Sequence, residues 1–188
     1  ASNPLGLTTE PGRITCDSTG NVYVAFGFAG TMYCGTFTTS STGANDIGII
    51  KYNNNLSGSP LWVRKIGGTG NDFLSGNYGG PYNTQIIDIA IDNQQNLCCT
   101  SMFVGVVNFG PSTYTAGPTN GDGFLAKFSN ATGTCLFVKH IRGTTYVRPS
   151  GIRIDANDNI HVTGNFLGNL YCDPTTTTSG TLSAGGMG

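Results

Sequence analysis

Three segments of the chain carry one pattern in one order, and this internal repetition constrains the fold more than any other feature. ITCDSTGNVYVAFGFAG (Ile14 to Gly30) is matched by IAIDNQQNLCCTSMFVG (Ile89 to Gly105) and again by IRIDANDNIHVTGNFLG (Ile152 to Gly168). Asp17, Asp92 and Asp155 align, as do Asn21, Asn96 and Asn159, followed by Phe28, Phe103 and Phe166. A second block occurs twice: DIGIIKY (Asp46 to Tyr52) answers DGFLAKF (Asp122 to Phe128), and LWVRKI (Leu61 to Ile66) answers LFVKHI (Leu136 to Ile141). Separated blocks that recur in the same order indicate a repeated structural unit.

Each unit reads as four short strands. The first ends at Cys16, Ile91 or Ile154, just before the aspartate. D-x-x-x-N then turns the chain, because Asp and Asn side chains bond to nearby backbone. The second strand alternates, with Val22, Val24 and Phe26 on one face. A long Gly/Thr/Ser connection leads to the third strand, and an Asn/Ser/Gly turn to the fourth. Helices are disfavoured throughout: glutamate occurs only at Glu10, and there are 29 glycines.

Four-stranded units at this spacing fit the blades of a β-propeller, whose sheets pack face to face. The expected fold class is therefore all-β and propeller-like, with four-stranded antiparallel blades, two complete and half of a third. The expected boundaries are a lead-in over 1–12, blades over 13–75 and 76–150, and a partial blade over 151–188. DSTGNVYV, DGFLAKF and LWVRKI resemble the SBBP-type β-propeller repeat, and the resemblance runs from Arg13 to Gly186. Gln95 and Asp158 stand where that family has a turn glycine, and Gly48 where it prefers Phe. The resemblance implies a large secreted or surface protein.

Nine Lys and Arg against ten Asp and Glu leave a formal net charge of −1. Nucleic-acid binders show a basic footprint, so no nucleic acid is expected as partner. No apolar run approaches the ~18 residues of a membrane-spanning helix. The six cysteines lack CxxC pairs or zinc-ligand spacing, and are expected to pack as buried thiols. Ala1 is read as either a processed N-terminus or the start of a fragment.

Candidate sites are each weighed against a structural role. Asp155, Asn157 and Asn159 space oxygen ligands like the start of a calcium loop, but a strand-joining turn explains all three copies. His140 aligns with Lys65, and His161 with Tyr23 and Cys98; neither has a fixed partner in sequence, so both positions are expected to be set by face and exposure. Lys51 and Lys127 could pair with Asp46 and Asp122 across or within a blade. Trp62, aligned with Phe137, is expected to pack between blades. The sequons at Asn55 and Asn130 align at one turn, which should be exposed and open to glycosylation. No catalytic residue, cofactor or metal is assigned.

Three functions are weighed: a structural or adhesive module at an extracellular, cell or virion surface; a glycan- or peptide-binding propeller using aromatic loops such as Asn77 to Asn83; and a glycan-active enzyme, which wants paired carboxylates. The first is favoured. The expected partners are other copies of the chain or the remainder of a longer one, with surface glycan or protein as further candidates. Ile14, Ile89 and Ile152 should lie on equivalent first strands. Cys34 and Cys172, aligned with Phe109, should share apolar environments without bonding to each other. The third unit would leave an unpaired edge if the chain ended there, so further protein is expected to cover it, either more of the same polypeptide or neighbouring subunits in a ring or fibre.

Overall fold

A computed structural model describes residues 9–70, 72, 87–117, 121–171 and 181–183. These residues form an all-β, antiparallel structure without helix. In the first unit the strands are β1 (Thr9–Cys16), β2 (Val22–Phe28), β3 (Thr31–Cys34), β4 (Phe37–Ser40), β5 (Asp46–Tyr52) and β6 (Trp62–Gly68). The second unit repeats them as β7 (Asp88–Ile91), β8 (Leu97–Phe103), β9 (Val106–Asn108), β10 (Thr113–Thr115), β11 (Asp122–Phe128) and β12 (Cys135–Gly143). The third contributes β13 (Tyr146–Ile154), β14 (Ile160–Leu167), β15 (Asn169–Tyr171) and β16 (Thr181–Ser183).

First strands end at Cys16, Ile91 and Ile154, and Ile14, Ile89 and Ile152 occupy equivalent positions on them. The main sheets are meanders, β1-β2-β5-β6 and β7-β8-β11-β12. The connection between second and third strands differs from expectation. It folds back as a hairpin in every unit (β3–β4, β9–β10, β15–β16) because β-branched and aromatic residues flank its turn. A glycine at positive φ opens each hairpin: Gly30 at 80°, Gly105 at 78° and Gly168 at 82°. An L side chain is disfavoured in that backbone region.

These hairpins join one unit to the next. β6 pairs with β9 through Gly67–Asn108 and Gly68–Val107. β12 pairs with β15 through Arg142–Tyr171 and Gly143–Leu170, the aligned positions. Each meander is thereby extended to six strands by the following hairpin, while β3–β4 and β13–β14 remain two-stranded sheets. No sheet closes on itself among the described residues.

Burial follows from stacking. Tyr23 and Ala25 face the second unit and lie in one apolar core with Ile49, Trp62, Leu97, Cys99, Phe103 and Phe124. Val22, Val24 and Phe26 share the opposite face and are only half-buried. Every residue of β8 is buried, since that strand is covered on both faces. β13 packs on β7, β8 and β11, and β14 alternates between half-buried and exposed positions. Position in the stack also separates aligned residues: Ile14 is 71% exposed, whereas Ile89 and Ile152 are buried.

The cysteines divide in the same way. Cys98, Cys99 and Cys135 are buried free thiols, and burial pushes Cys98 up to about 12. Cys16 is exposed, contrary to expectation, because it ends the uncovered first strand. Cys34 is free and half-buried while its counterpart Phe109 is buried, because the β9–β10 hairpin is paired to a preceding sheet and β3–β4 is a two-stranded sheet by itself. Cys172 lies outside the described residues.

Candidate functional site

The three D-x-x-x-N segments fold into one turn geometry. The aspartate N–H donates to the asparagine carbonyl at 3.0, 3.0 and 3.1 Å for Asp17, Asp92 and Asp155. One carboxylate oxygen accepts from the Asn21, Asn96 or Asn159 N–H at 2.9, 2.7 and 2.9 Å, and the other faces the same asparagine's Nδ2. Burial would raise the Asp17 carboxyl, but the donors on Asn21 and Thr19 outweigh it and hold it well below the ordinary range. The calcium candidates thus sit inside a hydrogen-bonded turn. Asp155 accepts from the N–H groups of Asn157 and Asn159 and from the side chains of Asn159 and His161, which hold its carboxyl down at about 2. Among the described residues no three His, Cys, Asp or Glu side chains gather as a metal-binding group.

The fourth residue of each turn has positive φ: Gly20 at 82°, Gln95 at 66° and Asp158 at 69°. The two non-glycine residues reach back to the preceding unit. Gln95 Oε1 accepts from the Ser18 N–H at 2.7 Å, and Asp158 Oδ1 from the Asn93 N–H at 2.9 Å. Ser18 and Asn93 are equivalent positions, so the same joint is made twice.

The third-strand lysines address these turns instead of Asp46 and Asp122. Lys51 Nζ lies 3.5 Å from Asp17, and Lys127 Nζ lies 2.8 Å from Asp92. The register puts Lys51 opposite Tyr23 and Lys127 opposite Cys98, one strand from the turn. His161, at the position of Tyr23, likewise contacts its turn carboxylate, as the Tyr23 hydroxyl does. Face and exposure alone do not set this position.

The turn carrying Asn130 is not a free loop. It seats on the first unit, where Lys51 Nζ donates to both the Asn130 carbonyl and its side-chain oxygen at 3.0 Å. Trp62 Nε1 donates to the same carbonyl at 3.0 Å, and Arg64 Nε to the Gly133 carbonyl at 2.9 Å. A Cβ on Gly133 would stand 2.7 Å from the indole, so this turn and Trp62 require each other's shape. Trp62 also meets Tyr23 edge to face. Asn130 itself is therefore half-buried and engaged, whereas its counterpart Asn55 is exposed.

Asp46 and Asp122 anchor the returning hairpins. Their carboxylates accept from the Thr42 and Gly117 N–H groups at 2.9 and 3.0 Å, again at aligned positions. Their side-chain partners are the aligned Lys65 Nζ at 3.4 Å and His140 Nε2 at 2.8 Å. His140 is buried, with Phe103 and Tyr114 against its ring. The position of Lys65 and His140 thus sets a side-chain nitrogen on a buried aspartate, a relation that only the register reveals. Near Asp46 lies the buried Asp72, which accepts from the Gly68 N–H at 2.7 Å. Burial, aided by the Asp46 charge, pushes Asp72 up to about 7.

First strands meet at a third charged group, in which Asp88 takes Arg13 at 3.5 Å and Arg153 at 3.2 Å. A groove of about 740 Å³ runs between the first sheet and the β9–β10 hairpin, with Arg64, Lys65, Phe109 and Phe128 in its walls. Its two cations are engaged: Arg64 by the Asn130-bearing turn, and Lys65 by Asp46, Ser40 and Thr42. The aromatic loop Asn77 to Asn83 lies outside the described residues. Searched against known protein families and curated proteins, the sequence matches none.

Proposed function

We propose that the chain is a structural or adhesive module of stacked β-propeller blades of the SBBP type, working at an extracellular, cell or virion surface. It acts through protein–protein or protein–glycan contacts and carries no catalytic activity. One observation carries the reading: the joint between successive units is built twice from aligned residues. Gln95 to Ser18 and Asp158 to Asn93 link the turns, while β6–β9 and β12–β15 link the sheets. The charged side chains of Asp17, Lys51, Arg64, Asp92 and Lys127 are all used to hold turns and units. A repeat whose polar residues are committed to its own joints is suited to bearing shape and load.

In this reading the first strands line the inner side of the stack, where Arg13, Asp88 and Arg153 meet, and the hairpins lie outside. Electron microscopy of the native protein tests it: a ring or arc of radial blades is expected, and a closed sandwich or barrel would sink it. A glycan array and surface labelling of intact cells or particles then test the contacts and the location. No sugar binding and no surface signal would remove the adhesive role.

A further inference from the structure

The exposed face of the third unit is a half-site whose missing half can be read from the other two units. β14 pairs with β13 and with no other described strand. Its counterparts β2 and β8 each take a third strand, in the same register. Tyr23 faces Lys51 and Phe28 faces Asp46; Cys98 faces Lys127 and Phe103 faces Asp122. Transferred to β14, that register sets a lysine opposite His161 and an aspartate opposite Phe166. The lysine would then meet Asp155, as Lys51 meets Asp17 and Lys127 meets Asp92.

The second unit carries the complementary surface. Lys127, Phe137 and Lys139 align with Lys51, Trp62 and Arg64, the three side chains that seat the Asn130-bearing turn. They are less covered: the Lys127 side chain is 16% exposed against 4% for Lys51, Phe137 is half-buried where Trp62 is buried, and Lys139 is exposed. We infer that this edge and these three side chains bind a β-hairpin of the same repeat type, equivalent to β5–β6 and β11–β12, with pattern D-x-x-x-x-K-aromatic and a glycine-containing turn. Main-chain pairing along an exposed edge supplies the affinity, and the aspartate–lysine spacing supplies the register. The inference rests on the proposed stacking of repeats and names the partner that the stack takes next.

The chain's own second hairpin, residues 121–143 with Cys135→Ser, serves as a synthetic probe. Calorimetry should show saturable binding to the whole protein, with amide shifts confined to β14, Phe137 and Lys139. Asp155→Asn in the protein, or Lys127→Met in the peptide, should each weaken binding about 3- to 10-fold. The two together should cost little more than either alone, as expected for residues that contact each other. Lys139→Glu, at an exposed position, should weaken binding similarly with no effect on the protein's thermal midpoint. The proposal is overturned if the peptide fails to bind at about 1 mM, if a scrambled peptide binds equally, or if the shifts map to the groove beside Phe109. It is also overturned if the protein alone self-associates through this edge and the peptide does not compete. Loss of peptide capture with radial blades still visible by microscopy would sink this inference and leave the module reading intact. Capture by a particle that is not blade-built would do the reverse.

Discussion

The side-chain oxygen of Gln95 accepts the backbone N–H of Ser18 at 2.7 Å, although Gln95 itself sits at a φ of 66°. A non-glycine residue in that region carries a conformational cost of about 1 kcal/mol. Asp158 repeats the arrangement toward Asn93, whereas the first turn has Gly20 there. A side chain is thus retained in a strained position in the two turns where it holds the turn before.

This arrangement separates two substitutions that would otherwise look alike. Gln95→Ala loses the inter-unit bond and keeps the strain, so it should destabilise by about 1–2 kcal/mol. Gln95→Gly loses the same bond and relieves the strain, so it should stand about 1 kcal/mol above the alanine variant. Urea titration of both proteins measures the gap. Equal stabilities would show that the φ of Gln95 is not strained.

Sequence made the repeats, the strand ends at Cys16, Ile91 and Ile154, and the D-x-x-x-N turns legible, because local backbone chemistry and period-two patterning decide them. It hid whatever depends on register between strands. Lys51 lies next to Asp17 only because β5 pairs with β2, and a lysine and a histidine prove equivalent only through Asp46 and Asp122. It also hid the hairpins, whose three- and four-residue strands are shorter than an alternation signal needs. The engaged Asn130 could have been suspected from Trp62, a large residue that needs something to pack on.

The first and second units also differ in cross-strand packing. Phe26 faces Gly48 across β2 and β5, whereas Ser101 faces Phe124 across β8 and β11. The aromatic has exchanged strands with its small partner, which accounts for Gly48 standing where the second unit has Phe124. A Cβ at Gly48 would already approach the Phe26 ring to 3.1 Å. Gly48→Phe alone should therefore cost about 1–3 kcal/mol by overpacking. Combining it with Phe26→Ser should recover at least about 1 kcal/mol of that loss. Additive losses in thermal or urea unfolding would refute the exchange.

The two sequons should behave differently despite their alignment. Asn55 is exposed at its turn, while the Asn130 amide oxygen accepts from Lys51 and its backbone is held by Trp62 and Asn96. Expressed through a eukaryotic secretory route, the protein should carry glycan at Asn55 and little at Asn130, as read by peptide mass spectrometry. Lys51→Met should raise occupancy at Asn130 by loosening its turn. Equal occupancy in the parent protein would contradict the seated turn.

Asp72 sets the pH response. Burial, with the Asp46 charge beside it, holds its carboxyl near 7 in the folded protein, against 3.8 ordinarily, although the Gly68 and Val104 N–H groups and Lys65 pull the other way. A raised carboxyl favours the protonated folded form. Its contribution is therefore complete below about pH 4, falls as pH rises toward 7, and is lost above that, with a span of at most about 4 kcal/mol. Asp17 works in the opposite sense, since its depressed carboxyl stabilises the fold above the ordinary aspartate range and loses that effect only in strong acid. Asp72→Asn keeps the acceptor for the Gly68 N–H and removes the charge. It should leave stability at pH 5 nearly unchanged, raise it at pH 8, and flatten the profile between them, as measured by urea midpoints across that range. A parent protein equally stable at pH 5 and pH 8 would show that Asp72 is ionised in the fold without penalty.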